Sequence, residues 1–290
     1  MSQLFFSSPT LTSVNVHVAL QALGLPTLGV DVQQQQARVQ IPEGFVLSTA
    51  SITDTLRPLS KNHQFDFAIL ENSFQAQAFK LLAMDMDSTL ITIECIDEIA
   101  DFAGKKKEVS EITEAAMRGE IKDFSESLNR RVALLKGVPA SCLNSVFEER
   151  LRLSPGAEEL IAFAKAKGWK TLLVSGGFTF FTDKMKEVLG LDYTRSNTLE
   201  IVDGHLTGRV LGTIVDADVK RETVLETCDM LGCDSSQAIV VGDGSNDLKM
   251  MEIAGASVAF RAKPVVQEKT DFCINQGGLD SICKWFEANA

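Results

Sequence analysis

Residues 79–89, FKLLAMDMDST, run from an almost unbroken apolar stretch into a cluster of oxygen-bearing side chains: Asp85, Asp87, Ser88 and Thr89. A strand that is apolar at odd and even positions alike has both faces covered, as in a parallel sheet packed between helices. Three further stretches share this character: 170–176 (KTLLVSG), 237–243 (QAIVVGD) and 256–260 (ASVAF), with 271–275 (DFCIN) a weaker fifth. Helical patterns lie between them. One opens at Ser154-Pro155-Gly156-Ala157-Glu158, where Ser154 suits an N-cap and Pro155 the first helical position. Leu160, Ile161 and Ala164 then form an apolar stripe that Gly168 can end, and Val224, Leu225, Cys228 and Leu231 repeat the pattern before Gly232. Strand and helix in alternation predict right-handed crossovers and an α/β fold with a doubly wound parallel sheet.

Two insertions interrupt the alternation. Between the first and second strands, helical stripes recur at Ile96, Ile99, Ala100 and Ala103, at Val109, Ile112 and Ala116, and at Leu128, Val132 and Leu135. They predict a small helical unit over about 93–153, the length of a small domain rather than a loop. The second insertion, about 195–215, carries Asp203-Gly204 between β-type runs, a hairpin signal. Residues 1–78 have a different texture, polar and Gln-rich. A helix over 14–23 stopped by Gly24, a strand over 28–40, a short helix over 53–59 and a strand over 65–70 predict a small α+β domain there. Residues 79–290 form the second domain. The QQQQ run reads as a solvated turn or edge.

Composition narrows the function classes. Twenty-eight basic against 39 acidic residues give a formal charge of -11, and no basic patch offsets it, so nucleic acid and anionic lipid are not expected partners. No apolar run reaches the roughly 20 residues of a membrane-spanning helix. The N-terminal MSQLFFSSPTLTSV lacks the basic head and long apolar stretch of a secretory signal. The six cysteines form no CxxC pair and sit in no metal-ligand spacing with histidine, so free thiols and a cytoplasmic location are expected. His17, His63 and His205 fall outside every motif and read as surface or structural residues.

The chemistry gathers at strand ends. Asp85 and Asp87, two residues apart, point to the same side at the C-terminal end of the first core strand, where ligands bind in open α/β sheets. Two like charges about 4 Å apart repel by about 4 kcal/mol at an effective dielectric of about 20. A cation between them or a proton on one relieves the clash. Ser175-Gly176-Gly177 ends the second strand with a hydroxyl and free N–H groups suited to an anionic oxygen. Gly242-Asp243-Gly244-Ser245-Asn246-Asp247 ends the third, offering hard oxygens for Mg²⁺. Lys220 opens the preceding helix. Each motif alone reads equally well as a turn or a solvated helix start; four of them on one sheet edge do not.

Together these four motifs resemble those of haloacid-dehalogenase-type phosphatases. Ile93-Glu94-Cys95-Ile96-Asp97-Glu98-Ile99-Ala100, Glu114-Ala115-Ala116-Met117-Arg118-Gly119 and Arg130-Arg131-Val132-Ala133-Leu134-Leu135-Lys136-Gly137 resemble the helical cap of the phosphoserine-phosphatase branch. The resemblance runs from about residue 80 to the C-terminus. It implies that Asp85 is the nucleophile that forms an aspartyl-phosphate and Asp87 the general acid, then base. It implies Mg²⁺ held by Asp85, the carbonyl of Asp87 and Asp243, with Asp247 in support. Ser175, Gly176, Lys220 and Asn246 would bind the phosphoryl group; Glu94 would meet the substrate ammonium and Arg131 its carboxylate, with Arg130 the alternative. Ser245 stands where many relatives have alanine, and Gly119–Phe124 is one residue longer than usual, which could shift Phe124.

The implied activity is Mg²⁺-dependent hydrolysis of O-phosphoserine to L-serine and phosphate, the last step of serine biosynthesis. The same aspartyl-phosphate could instead pass its phosphoryl group to another alcohol. Some members carry a regulatory amino-acid-binding domain where residues 1–78 lie. A homodimer is compatible with the sequence.

Overall fold

The computed structural model describes residues 2–287 except 28, 43, 46, 118, 119 and 122. Leu28, which starts an expected strand, and Arg118, Gly119 and Lys122 of the cap motifs therefore lie outside the described residues. Ten strands follow in chain order: β1 (Gln3–Ser7), β2 (Gln36–Gln40), β3 (Asp66–Leu70), β4 (Leu81–Met84), β5 (Lys170–Phe178), β6 (Tyr193–Val202), β7 (His205–Leu211), β8 (Ala238–Gly242), β9 (Ala256–Phe260) and β10 (Phe272–Ile274).

They form one sheet in the order β2-β1-β3-β10-β9-β8-β4-β5-β6-β7. The stretch from β10 to β6 is parallel throughout. β4 lies at its centre with every residue buried. Leu82 and Met84 enter one hydrophobic cluster and Leu81 and Ala83 the other, on opposite faces. Helix Ala157–Ala166 covers the first face through Leu160, Ile161 and Ala164. Helix Ala217–Leu231 covers the second through Val224 and Cys228. Truncating Leu82 to alanine in such a core costs about 2–5 kcal/mol. The continuous apolar runs and the doubly wound sheet thus have one cause.

The register fixes the functional edge. Met84 pairs with Leu173 of β5 and Val241 of β8, so the residues just beyond these positions emerge side by side at the C-terminal ends. The cap helices Cys95–Phe102, Lys106–Met117, Phe124–Ala133 and Ser141–Ser145 stand over that edge. Ile96, Ile99, Val109, Leu128 and Val132 bury toward the main cluster as the stripes require. The β6–β7 hairpin turns at Asp203 and Gly204, both left-handed (φ 49 and 73). It braces the cap through paired backbone bonds between Gly137 N–H and the Leu206 carbonyl (2.8 Å) and between Leu206 N–H and the Val138 carbonyl (2.9 Å).

Several boundaries differ from the sequence expectation. The helix expected at Ser154 begins at Ala157, capped by Gly156 at φ 77. A side chain at Gly156 would collide with Asp280, and the Pro155 carbonyl accepts from Leu279 N–H at 2.7 Å. The C-terminal segment thus holds 154–156 in a turn. The strand expected over 28–40 shrinks to Gln36–Gln40, because Gln34 and Gln35 turn the chain at φ 48 and 63. The helix expected over 53–59 runs Thr49–His63, with Ser48 as N-cap and Pro58 inside. Tertiary packing of Ile52 and Leu56 overrides the breaker.

Within residues 2–78, β2, β1 and β3 are antiparallel, and Leu4, Phe6, Val16, Leu20, Ile52, Leu56 and Phe65 form a separate cluster. β3 then joins β10 at Phe67–Cys273. Asp66, buried, accepts backbone N–H bonds from Asn275 (2.8 Å), Gln276 (2.9 Å) and Gly277 (2.8 Å) across this seam.

Candidate active site

The four strand-end motifs and the cap enclose a cleft of about 470 Å³. Asp85, Asp87, Glu94, Arg131, Ser175, Gly176, Asp243 and Asn246 line it. Lys220 and Asp247, both fully buried, lie beneath its floor. All ten residues singled out in the sequence are therefore gathered at one place.

The floor is an ionic lattice. The Lys220 ammonium bridges Oδ1 of Asp85 and Oδ1 of Asp247, each at 2.8 Å. The other oxygen of Asp247 accepts the N–H groups of Asp243 (3.2 Å) and Gly244 (3.0 Å), which shapes the loop after β8. A side chain at Gly242 would come within 2.5 Å of that carboxylate, so the strand must end in glycine here. Met86 N–H also donates to Oδ1 of Asp85, at 2.8 Å. Among the described residues the partners of Asp85 fall on Oδ1, and Asp85 itself lines the cleft. Burial alone would drag the Lys220 ammonium down, yet the carboxylates of Asp247 and Asp85 hold it above the ordinary lysine value.

One buried ammonium does not balance these acids. Burial pushes Asp85 up to about 7 despite the opposing Lys220 charge. Burial, then Asp85 and Asp247, push Asp243 up to about 8, with the Thr89 hydroxyl (3.2 Å) opposing. Asp85, Asp243 and Asp247 each place a carboxylate oxygen within 4.8 Å of the others. Hard oxygens crowded at this spacing with unbalanced charge are what a small divalent cation satisfies.

Asp87 stands at the junction of core and cap. Its Oδ1 accepts Cys95 N–H at 3.1 Å, and a side chain at Gly177 would sit 2.5 Å from its Oδ2. Burial, then Glu94 and Asp85, raise its proton affinity well above that of an ordinary carboxylate. Across the cleft, Arg131 reaches inward with Nε bonded to the Ser127 carbonyl at 3.3 Å. Burial lowers its proton affinity while Glu94, Asp97 and Asp87 oppose. Arg130 points away, ion-paired with Glu126 at 2.5 Å in solvent. The geometry thus chooses between the adjacent arginines. The Phe124 ring lies against Gly176, where a Cβ would meet Cζ at 2.9 Å, so the cap touches the core loop directly.

Two contributors carried no signal in the sequence. Asn197, buried in β6, donates from Nδ2 to the Gly176 carbonyl and accepts Val215 N–H on Oδ1, both at 2.8 Å. It ties the Ser175–Gly177 loop to the approach of the Lys220 helix. Lys263 lines the cleft because its N–H bonds the Asp243 carbonyl at 3.1 Å. Ser88, already part of the first strand-end motif, lines the cleft as well.

A family model for haloacid dehalogenase-like hydrolases matches residues 79–255. This chain belongs to the haloacid dehalogenase-like hydrolase family. A phosphoserine phosphatase of Polaromonas sp. is 60% identical over 208 residues, 70% of this chain and 88% of the relative. Among solved structures, a hydrolase of the same family from Salmonella enterica serovar Typhi superposes with a TM-score of 0.89 at 35% identity, covering both chains fully. A substrate-bound phosphoserine phosphatase complex superposes at 0.68 with 41% identity, covering 72% of this chain and 99% of the other. In this haloacid dehalogenase-like hydrolase, the matched span holds every singled-out residue, whereas Lys263 lies beyond it.

Proposed function

We propose that this hydrolase is a phosphoserine phosphatase, a phosphoric monoester hydrolase that converts O-phospho-L-serine to L-serine and phosphate. One observation carries the reading: the cleft has two chemically distinct ends. Asp85, Ser175 and the Lys220 lattice lie at one end, and Glu94 faces Arg131 at the other. A phosphate ester of a zwitterion fits both, its phosphate on the core and its ammonium and carboxylate on Glu94 and Arg131.

The carboxylate triad fits Mg²⁺, which Asp85, the carbonyl of Asp87 and Asp243 would hold, with Asp247 in support. When bound, the cation would offset the charge of the acids and polarise the phosphoryl oxygens. The residues do the rest. Ser175 with the Gly176 amide holds the phosphate, Asn246 assists, and the Lys220 charge attracts it from beneath the floor. The Asp85 carboxylate attacks phosphorus and the P–O bond to the seryl oxygen breaks. Asp87, raised by burial, gives that oxygen its proton. Asp87 then takes a proton from water, whose oxygen attacks the phosphoryl group and returns Asp85 as a carboxylate. The cap excludes bulk water during transfer.

Six free cysteines are compatible with placing the reaction in the cytoplasm, and a reaction that yields L-serine from its phosphate ester would be the last step of serine biosynthesis. The separate hydrophobic cluster of the N-terminal segment supports treating 1–78 and 79–290 as two domains. Phosphate release from phosphoserine with and without Mg²⁺ tests the reading. Equal release in a chelator, or no preference for phosphoserine over simple phosphate esters, would end it.

A further inference from the structure

Ser88 holds a left-handed backbone (φ 55, ψ 2) immediately after Asp87. Glycine adopts that conformation at lower cost than serine, so the side chain there needs a reason. Its hydroxyl donates to Oε1 of Glu94 at 2.7 Å. Its N–H donates to the Ile93 carbonyl at 3.2 Å, so the turn folds the chain back until position 94 meets position 88. Glu94 is the N-cap of the first cap helix, yet its side chain caps no helix N–H. The carboxylate is instead held from the core side, by the strained serine. Burial works against the charge on Glu94, and the Ser88 bond is the strongest influence in its favour.

We infer that Ser88 is a specificity-positioning residue: its hydroxyl occupies one oxygen of Glu94 and turns the other into the cleft, selecting phosphate esters that carry an ammonium. This rests on the assignment of Glu94 to the substrate ammonium. The backbone strain is then the cost of putting a donor where glycine would leave none.

The experiment compares phosphoserine with p-nitrophenyl phosphate, which has no ammonium, on the Mg²⁺-loaded full chain. In Ser88→Gly the ratio of the two kcat/KM values falls about tenfold, the worth of a hydrogen bond to a charged group, through KM for phosphoserine. Melting occurs at or above the wild-type temperature, since glycine relieves the turn. Ser88→Ala loses the same selectivity with the strain retained, which separates hydroxyl from backbone. In a Glu94→Gln background, Ser88→Gly lowers the ratio little further. A selective wild type with an equally selective Ser88→Gly overturns this inference alone, as does an undiminished second loss in Glu94→Gln. A wild type indifferent between the two esters overturns the parent reading as well.

Discussion

The two ends of the cleft are built differently. The proposed phosphate end is made of strand termini whose register is set by the parallel sheet, and its charges are locked in a lattice of Asp85, at the cleft surface, with the fully buried Lys220 and Asp247. The amino-acid end is made of side chains on cap helices, each held by one or two bonds: Glu94 by Ser88, Arg131 by the Ser127 carbonyl. On the proposed function, bond-making chemistry rests on the strand ends and substrate choice on the cap helices. That division predicts that damage at the core removes turnover, whereas damage at the cap removes affinity.

The largest effect tests the core directly. Asp85→Asn keeps the shape of the carboxylate but removes its nucleophilic oxygen, and kcat should fall by about 10⁴-fold or more. Mass spectrometry of the working wild type should find added phosphate on Asp85. Turnover surviving in Asp85→Asn, with no such adduct in the wild type, would remove the distinction between the two ends.

Next comes Lys220→Met. It matches the apolar length of lysine but strands two buried carboxylates, a loss of about 3–5 kcal/mol in stability with turnover falling alongside. Denaturant titration monitored by circular dichroism measures it. An unchanged midpoint would mean that the lattice does not hold the floor together.

At the opposite end, Arg131→Ala should raise KM for phosphoserine about 100-fold, with kcat changing far less. Steady-state kinetics give both parameters. A fall confined to kcat would place Arg131 in the chemistry and break the division.

A smaller effect links the ends through charge. Without a cation, Asp85 and Asp243 titrate near 7 and 8, well above the ordinary aspartate value. The folded protein thus binds more protons than the unfolded chain across that range. Stability of the cation-free protein is highest at low pH in this respect and declines as pH rises through 7 and 8. Mg²⁺ must displace those protons, so its apparent affinity should rise about tenfold per pH unit for each proton released. Calorimetry in buffers of different ionisation enthalpy counts them. Magnesium binding without proton release, or stability of the cation-free protein rising over that window, contradicts the charge imbalance.

The sequence disclosed the core more readily than what surrounds it, for a physical reason. β4 and β8 are covered on both faces, so their residues read as continuous apolar runs. Their functional ends are local motifs in which spacing along the chain equals spacing in space. β1 escaped notice although Phe5 and Phe6 are both fully buried, because a five-residue strand between polar neighbours carries too little pattern. Asn197 and Lys263 escaped for another reason. Each reaches the site only through the register of a distant strand, and nothing beside Asn197 marks it as buried. Ser154 suited an N-cap by local rules, but the helix is capped by Gly156, which packs against the distant Asp280 where no side chain would fit.

Arg130 and Arg131 give the finest test of the comparison. They are adjacent on one helix, so their side chains leave it about 100° apart, and sequence alone left the choice open. Arg131 enters the cleft among Glu94, Asp97 and Asp87, while Arg130 makes a solvent-exposed pair with Glu126 four residues back. An exposed pair of this kind contributes about 0.3–0.5 kcal/mol. Arg130→Gln should therefore change KM for phosphoserine less than about twofold, and the melting temperature barely. Parallel kinetics on the two single variants decide the matter. Equal losses at both positions would show that the cap supplies a diffuse positive field rather than a placed guanidinium, and the amino-acid end would no longer be a site in the sense that the phosphate end is.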